Sequence, residues 1–106
     1  MKSYSDLQQS KKLAEILPLE SADMWYSIVD NEAFICLEHH NEYKQIPCWS
    51  LAALLDVLPK IHGLKPILDL EECSIQYIGF DLYVTASNLI DACVEMLLKL
   101  HEHKML

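Results

Sequence analysis

The stretch Ile46–Lys60, IPCWSLAALLDVLPK, constrains this chain more than any other. Between Ser50 and Pro59 it carries Leu51, Ala52, Ala53, Leu54, Leu55, Val57 and Leu58, with Asp56 as the single polar side chain. A helix apolar on nearly every side is buried in a globule or a membrane. Its length of about nine residues falls far short of the roughly 20 that span a bilayer. The expectation is a central helix over about 50–58, buried within a small domain. Ser50 stands where its hydroxyl can cap that helix, and Trp49 and Leu54 take the N′ and N4 places of a hydrophobic staple. Pro59 ends it, because a proline pushes the residue before it away from helical angles.

The elements on either side follow from similar signals. Ser5-Asp6-Leu7-Gln8 reads as a capping box opening a helix to about Leu17, with Leu13, Ile16 and Leu17 as its buried stripe. Met24–Val29 is rich in aromatic and β-branched residues, which suit a pleated surface. Asp30-Asn31-Glu32 then reads as a turn and Ala33–Glu38 as a second strand, making a β-hairpin. His39–Gln45 reads as a polar loop. Beyond the central helix, Ile67–Leu70, Cys73–Tyr77 and Asp81–Thr85 give two or three short strands, turning near Glu71-Glu72 and near Gly79. An isolated glycine there also fits a bulge within one strand.

The last helix starts at Ser87 or Asn88 and runs to about His101. Its apolar residues, from Leu89 to Leu100, sweep an arc of ~200°, wider than the ~100° that one core face requires. Either the helix is wedged between layers, or its outer edge, Val94 and Leu98, is a partner surface; a homodimer is the simplest such partner. Glutamate at Val94 or Leu98 should then break association and spare the fold. The order α-ββ-α-β(β)β-α, with short turns between strands, predicts a mostly antiparallel α+β class in a single domain over 1–106.

Composition restricts the function classes. Sixteen acids against eight bases give a net charge of −8, and there is no arginine. Phosphate neutralisation needs a basic patch, so direct nucleic-acid binding is not expected. The N-terminus lacks the apolar run of a signal peptide. The expected location is cytoplasmic, with no membrane span and with the four cysteines (Cys36, Cys48, Cys73 and Cys93) reduced.

Candidate chemistry is sparse. His39-His40 suggests a metal site, yet neighbours on a strand point to opposite faces and no zinc spacing surrounds them. His101-Glu102-His103 lacks the i, i+4 spacing of a helical metal motif and better fits a cationic helix C-terminus. Cys48, just ahead of a helix, could be an activated thiol if a histidine lay beside it. Asp56 must reach solvent, find a donor, or have its pKa raised. No glycine-rich phosphate loop or hydrolase signature is present, and neither a cofactor nor a metal is expected.

Three segments carry a resemblance: SADMWY (21–26), IPCWSLAALLDVLP (46–59) and NLIDACVEMLLKL (88–100). Together with the QSKKL of the first helix, they resemble a group of small uncharacterised proteins encoded by phages and mobile elements of Bacteroides-type gut bacteria. The resemblance implies that origin and a cytosolic α+β domain; it brings no activity or catalytic residue. The functional expectation is a non-enzymatic accessory domain that acts by binding another protein. The alternative is a small enzyme or metal-binding protein using Cys48, His39 or His40 and Asp56. A weaker alternative is an acidic inhibitor of a nucleic-acid-binding protein, which would show strongly salt-sensitive binding.

Overall fold

The computed structural model describes residues 2–40 and 44–106. In chain order they form α1 (Leu7–Ala14), β1 (Met24–Val29), β2 (Glu32–Cys36), β3 (Lys44–Cys48), α2 (Leu51–Val57), β4 (Ile67–Asp69), β5 (Ser74–Tyr77), β6 (Leu82–Thr85) and α3 (Leu89–Glu102). A single 3-10 turn, Leu19–Ser21, links α1 to β1. Two antiparallel three-stranded sheets result, ordered β2-β1-β3 and β4-β5-β6. The class is α+β, as expected. The strand β3 is an addition to the expected order, because Lys44, Gln45 and Pro47 hide it. Residues 41–43 of the expected polar loop lie outside the described residues.

The first hairpin turns on two residues. Asp30 (φ 51°) and Asn31 (φ 65°) both occupy the left-handed region, which a type I′ turn demands and which Asp and Asn tolerate. Val29 therefore pairs directly with Glu32. The second expected turn is held by Asp69, whose Oδ1 accepts from the backbone N–H groups of Glu71 (3.0 Å) and Glu72 (3.1 Å). Gly79, at φ +87°, occupies the third.

The cap of α1 slides by one residue from its expected frame. Asp6, not Ser5, accepts from the N–H of Gln9 (2.8 Å), and the Gln9 side chain accepts from the N–H of Asp6 (3.0 Å). Ser5 is released for another task. It is fully buried, and its Oγ lies 2.8 Å from Ser10 Oγ and accepts from the Trp49 N–H at 3.1 Å. Its carbonyl accepts from the Tyr26 hydroxyl at 2.9 Å. The segment before α1 thereby runs along the end of β3, with Tyr4 bridged to Ser50.

The helix α2 has the expected cap, since Ser50 Oγ accepts from the Ala53 N–H (3.2 Å) and Trp49 and Leu54 are both fully buried. Its expected burial along 50–58 is corrected. Within α2 only Leu54 is buried, with Leu58 just beyond, while Ala52 and Asp56 are exposed. Leu54 and Leu58 enter the core, while Leu51, Ala53, Leu55 and Val57 pack half-buried against it. The buried helix is α3. Half of its fourteen residues are buried (Ile90, Ala92, Cys93, Val94, Met96, Leu97 and Leu100), because α1, α2 and the second sheet all pack against it. Its wide apolar arc is that of a wedged helix. Ile75, Tyr77, Leu82 and Val84 line the sheet face opposite.

A polar clamp closes the N-terminal segment onto α3. Asp91 accepts from Lys2 Nζ (2.6 Å), Gln9 Nε2 (2.8 Å) and Asn88 Nδ2 (2.9 Å), while Asn88 caps α3 through the Asp91 N–H. Burial on its own would raise the Asp91 carboxyl, but the hydrogen bonds from Lys2, Gln9 and Asn88 outweigh it and hold it below its ordinary value of 3.8. A depressed carboxyl stabilises the fold above its unfolded pKa and ceases to do so as pH falls through the folded one. Asp91→Ala should cost about 1–2 kcal/mol at pH 7. The deficit should narrow below pH 3.8 as the wild type loses the same charge. Urea midpoints of both proteins at pH 7 and at about pH 3 test the sign.

Candidate functional site

The first sheet has two unlike faces, set by its register. Tyr26 stands beside Ile35 and Ile46, and Met24 beside Cys48. This inner face meets α1 through β3. On the other face lie Trp25 beside Cys36 and Pro47, Ser27 beside Phe34 and Gln45, and Val29 beside Glu32. None of the five residues of β2 is buried. The main core gathers the helices and the second sheet and includes no residue of β1 or β2. The molecule is accordingly elongated, 47 × 27 × 19 Å.

The outer face is apolar where it meets solvent. Phe34 is 50% exposed and Leu19, on the turn before β1, is 55% exposed. The Trp25 ring stacks on His39 with centroids 4.3 Å apart and planes 21° from parallel. Leu19, Glu20, Trp25, His39, Gln45 and Pro47 line a cavity of about 570 Å³. On the same face, Gln45 Nε2 donates to Ser27 Oγ (2.8 Å), and Ser27 Oγ donates to Cys36 Sγ (3.2 Å). These bonds hold the polar residues among the apolar ones in fixed places. Exposed apolar residues beside such a concavity, with polar groups around them, are a common feature of protein-docking surfaces.

The residues singled out by sequence do not assemble. Cys48 is fully buried on the inner face, with its Sγ 3.4 Å from the Ser5 carbonyl. Burial pushes its thiol up, and the hydrogen bonds of Ser5 and Ser10 only partly oppose that. His39 stacks on Trp25, on the opposite face of the sheet, so no Cys–His pair forms there. His40 is exposed, 3.9 Å from Glu38. Asp56 is exposed on α2. Among the described residues, no group of three or more His, Cys, Asp and Glu could hold a metal ion. Val94 is 3% exposed and belongs to the core, which corrects its place in the expected partner surface. Leu98 is partly buried and borders a shallow concavity with Tyr83, Glu95 and Lys99. Glutamate at Val94 would therefore test folding and not association, since it would bury an unpaired charge.

Sequence reasoning passed over Trp25, Phe34 and Leu19 as a surface because they read as ordinary strand and connector residues. The available signal was the hairpin's apolar residues on both faces, with one short helix to cover them. No helix among the described residues is long and apolar enough to cross a membrane. Comparison of the chain with protein-family models, with curated proteins and with solved structures finds no match in any of the three.

Proposed function

We propose that this chain is a non-enzymatic accessory domain that binds another protein through the outer face of its first sheet. On this reading it is a cytoplasmic protein of phage or mobile-element origin, in keeping with the PxWSLxxLL resemblance. The observation that carries the proposal is the exposure of Phe34 and Leu19 on the face that also holds the half-buried Trp25 and its cavity. Leaving such area in water is unfavourable by about 25 cal/mol per Å², and a partner that covers it recovers that energy. The Trp25–His39 stack supplies a rigid aromatic element of the sort found at the centre of interfaces.

Leu19 borders the cavity and belongs to the turn before β1, outside all six strands, so it provides a clean test. Pull-down from the native lysate should yield one dominant partner at near-equal stoichiometry. Leu19→Lys should lose at least about ten-fold in affinity, as central contacts do, with an unchanged circular-dichroism melt. A dominant partner retained undiminished by Leu19→Lys would reject this face, and a blank with folded wild-type bait would reject the reading.

A further inference from the structure

We infer that β2 is the interface of a symmetric dimer in which two copies of this chain join edge to edge into one six-stranded sheet. The inference rests on reading the first sheet as an interaction element, and names a second copy as one occupant. The two sheets have four edges between them, and an open edge is a template for another strand. Three are blunted. The β3 edge carries Pro47, and the segment before α1 runs beside its end, with the Ser5 N–H donating to the Trp49 carbonyl at 2.9 Å. The β4 edge is three residues long and follows Lys65-Pro66. The β6 edge is four residues long, and Lys99 Nζ reaches the Tyr83 carbonyl at 3.5 Å. Among the described residues β2 pairs with β1 alone. It is five residues long, with neither proline nor lysine.

The register selects how a second copy would fit. In a two-residue hairpin the flanking pair, here Val29 and Glu32, exchanges hydrogen bonds, and the pattern then alternates. Phe34 and Cys36 thus bond to β1, while Ala33 and Ile35 turn their N–H and C=O groups to the open side. The same alternation carried across β1 turns the Pro47 nitrogen to the outside of β3, where a missing N–H costs nothing. Antiparallel self-pairing about Phe34 sets Ala33 against Ile35 of the second copy and Ile35 against its Ala33, giving four backbone bonds. Phe34 meets Phe34 of the second copy as the close, non-hydrogen-bonded pair, where aromatic side chains interact best. The dyad is perpendicular to the sheet, so both outer faces lie on one side and form a single doubled surface.

The flanks give the dimer a distinctive response to charge. The same register brings Asp30 near Glu38 of the second copy, twice over. Added salt should tighten this dimer by screening that repulsion, where a dimer held by ion pairs would loosen. Sedimentation velocity from about 5 to about 500 µM, at low and high salt, should show conversion of the 12.2 kDa monomer to dimer, with tighter association at high salt. Ala33→Pro removes an outward N–H and leaves the β1 pairing intact, so it should be a folded monomer. Phe34→Lys should also be monomeric, which keeps the test decisive if Ala33→Pro fails to fold. Glu38→Lys should tighten the dimer about five-fold, by replacing two repulsions with exposed ion pairs. A wild type that stays monomeric throughout overturns the inference, as does a dimer that persists in folded Ala33→Pro and Phe34→Lys. A monomer that still captures a partner sensitive to Leu19→Lys would reject the dimer alone and leave the proposed function standing.

Discussion

Trp49→Ala should lower the unfolding free energy by about 4 kcal/mol, the usual range for removing a buried large aromatic. In a domain of this size that is a fall in Tm of about 15–25 °C. Trp49 is fully buried. Its indole Nε1 donates to Ser21 Oγ at 2.9 Å, its backbone N–H to Ser5 Oγ at 3.1 Å, and its carbonyl accepts from the Ser5 N–H at 2.9 Å. It stands where β3 passes into α2, so the truncation would leave a cavity at the joint between the first sheet and the main core. Trp49→Phe separates packing from hydrogen bonding: it keeps most of the volume, and should lose about 1–3 kcal/mol for the indole N–H and the partner left behind. Thermal and urea melts followed by circular dichroism would measure both. A shift below about 5 °C for Trp49→Ala would show that this joint relaxes around the loss.

The legible parts of the fold were those with strong local chemistry. Pro59 ended α2, Ser50 capped it, Asp30-Asn31 turned a hairpin and Asn88 opened α3, all as their side chains and backbones dictate, whereas α1 stops at Ala14, short of the Leu17 end expected from Pro18. What escaped depended on partners far along the chain. Ser5 has the chemistry of a cap but is buried against Ser10 and Trp49, so Asp6 takes that role. The strand β3 pairs with β1 through a sequence that has a proline and no apolar alternation, and only an edge position makes this tolerable. The helix α2 looked central because alanine counts as apolar whether or not anything covers it. Asp91 is held by Lys2 and Gln9, some eighty residues earlier, which no local pattern states. The candidate surface was hardest of all, since exposure of Phe34 and Leu19 around the half-buried Trp25 follows from which face α1 occupies, and no local pattern states that.

Thiol chemistry separates the binding reading from the catalytic alternative most sharply. Cys48 and Cys93 are both fully buried, and Cys36 and Cys73 are partly exposed. Burial raises the Cys93 thiol to about 12 and also raises that of Cys48. At pH 8 a thiol with a pKa near 12 is ionised to about one part in 10⁴, against roughly a quarter for an ordinary one. The thiolate is the reactive species, so ionisation and access act in the same direction. A disulfide reagent should therefore label two thiols of the folded protein promptly. The other two should follow at least about 10³-fold more slowly, at the rate set by opening of the structure. In urea all four should react together, and peptide mapping should assign the slow pair to Cys48 and Cys93. Trp49→Ala should accelerate Cys48 in particular, because Ser5 bonds to both residues and its hold on Cys48 weakens with the packing around Trp49. Labelling of Cys48 in the folded wild type as fast as Cys36, rising further with a histidine-like pH profile, would point to an activated nucleophile and restore the enzymatic reading. Slow, opening-limited labelling leaves that reading without its nucleophile.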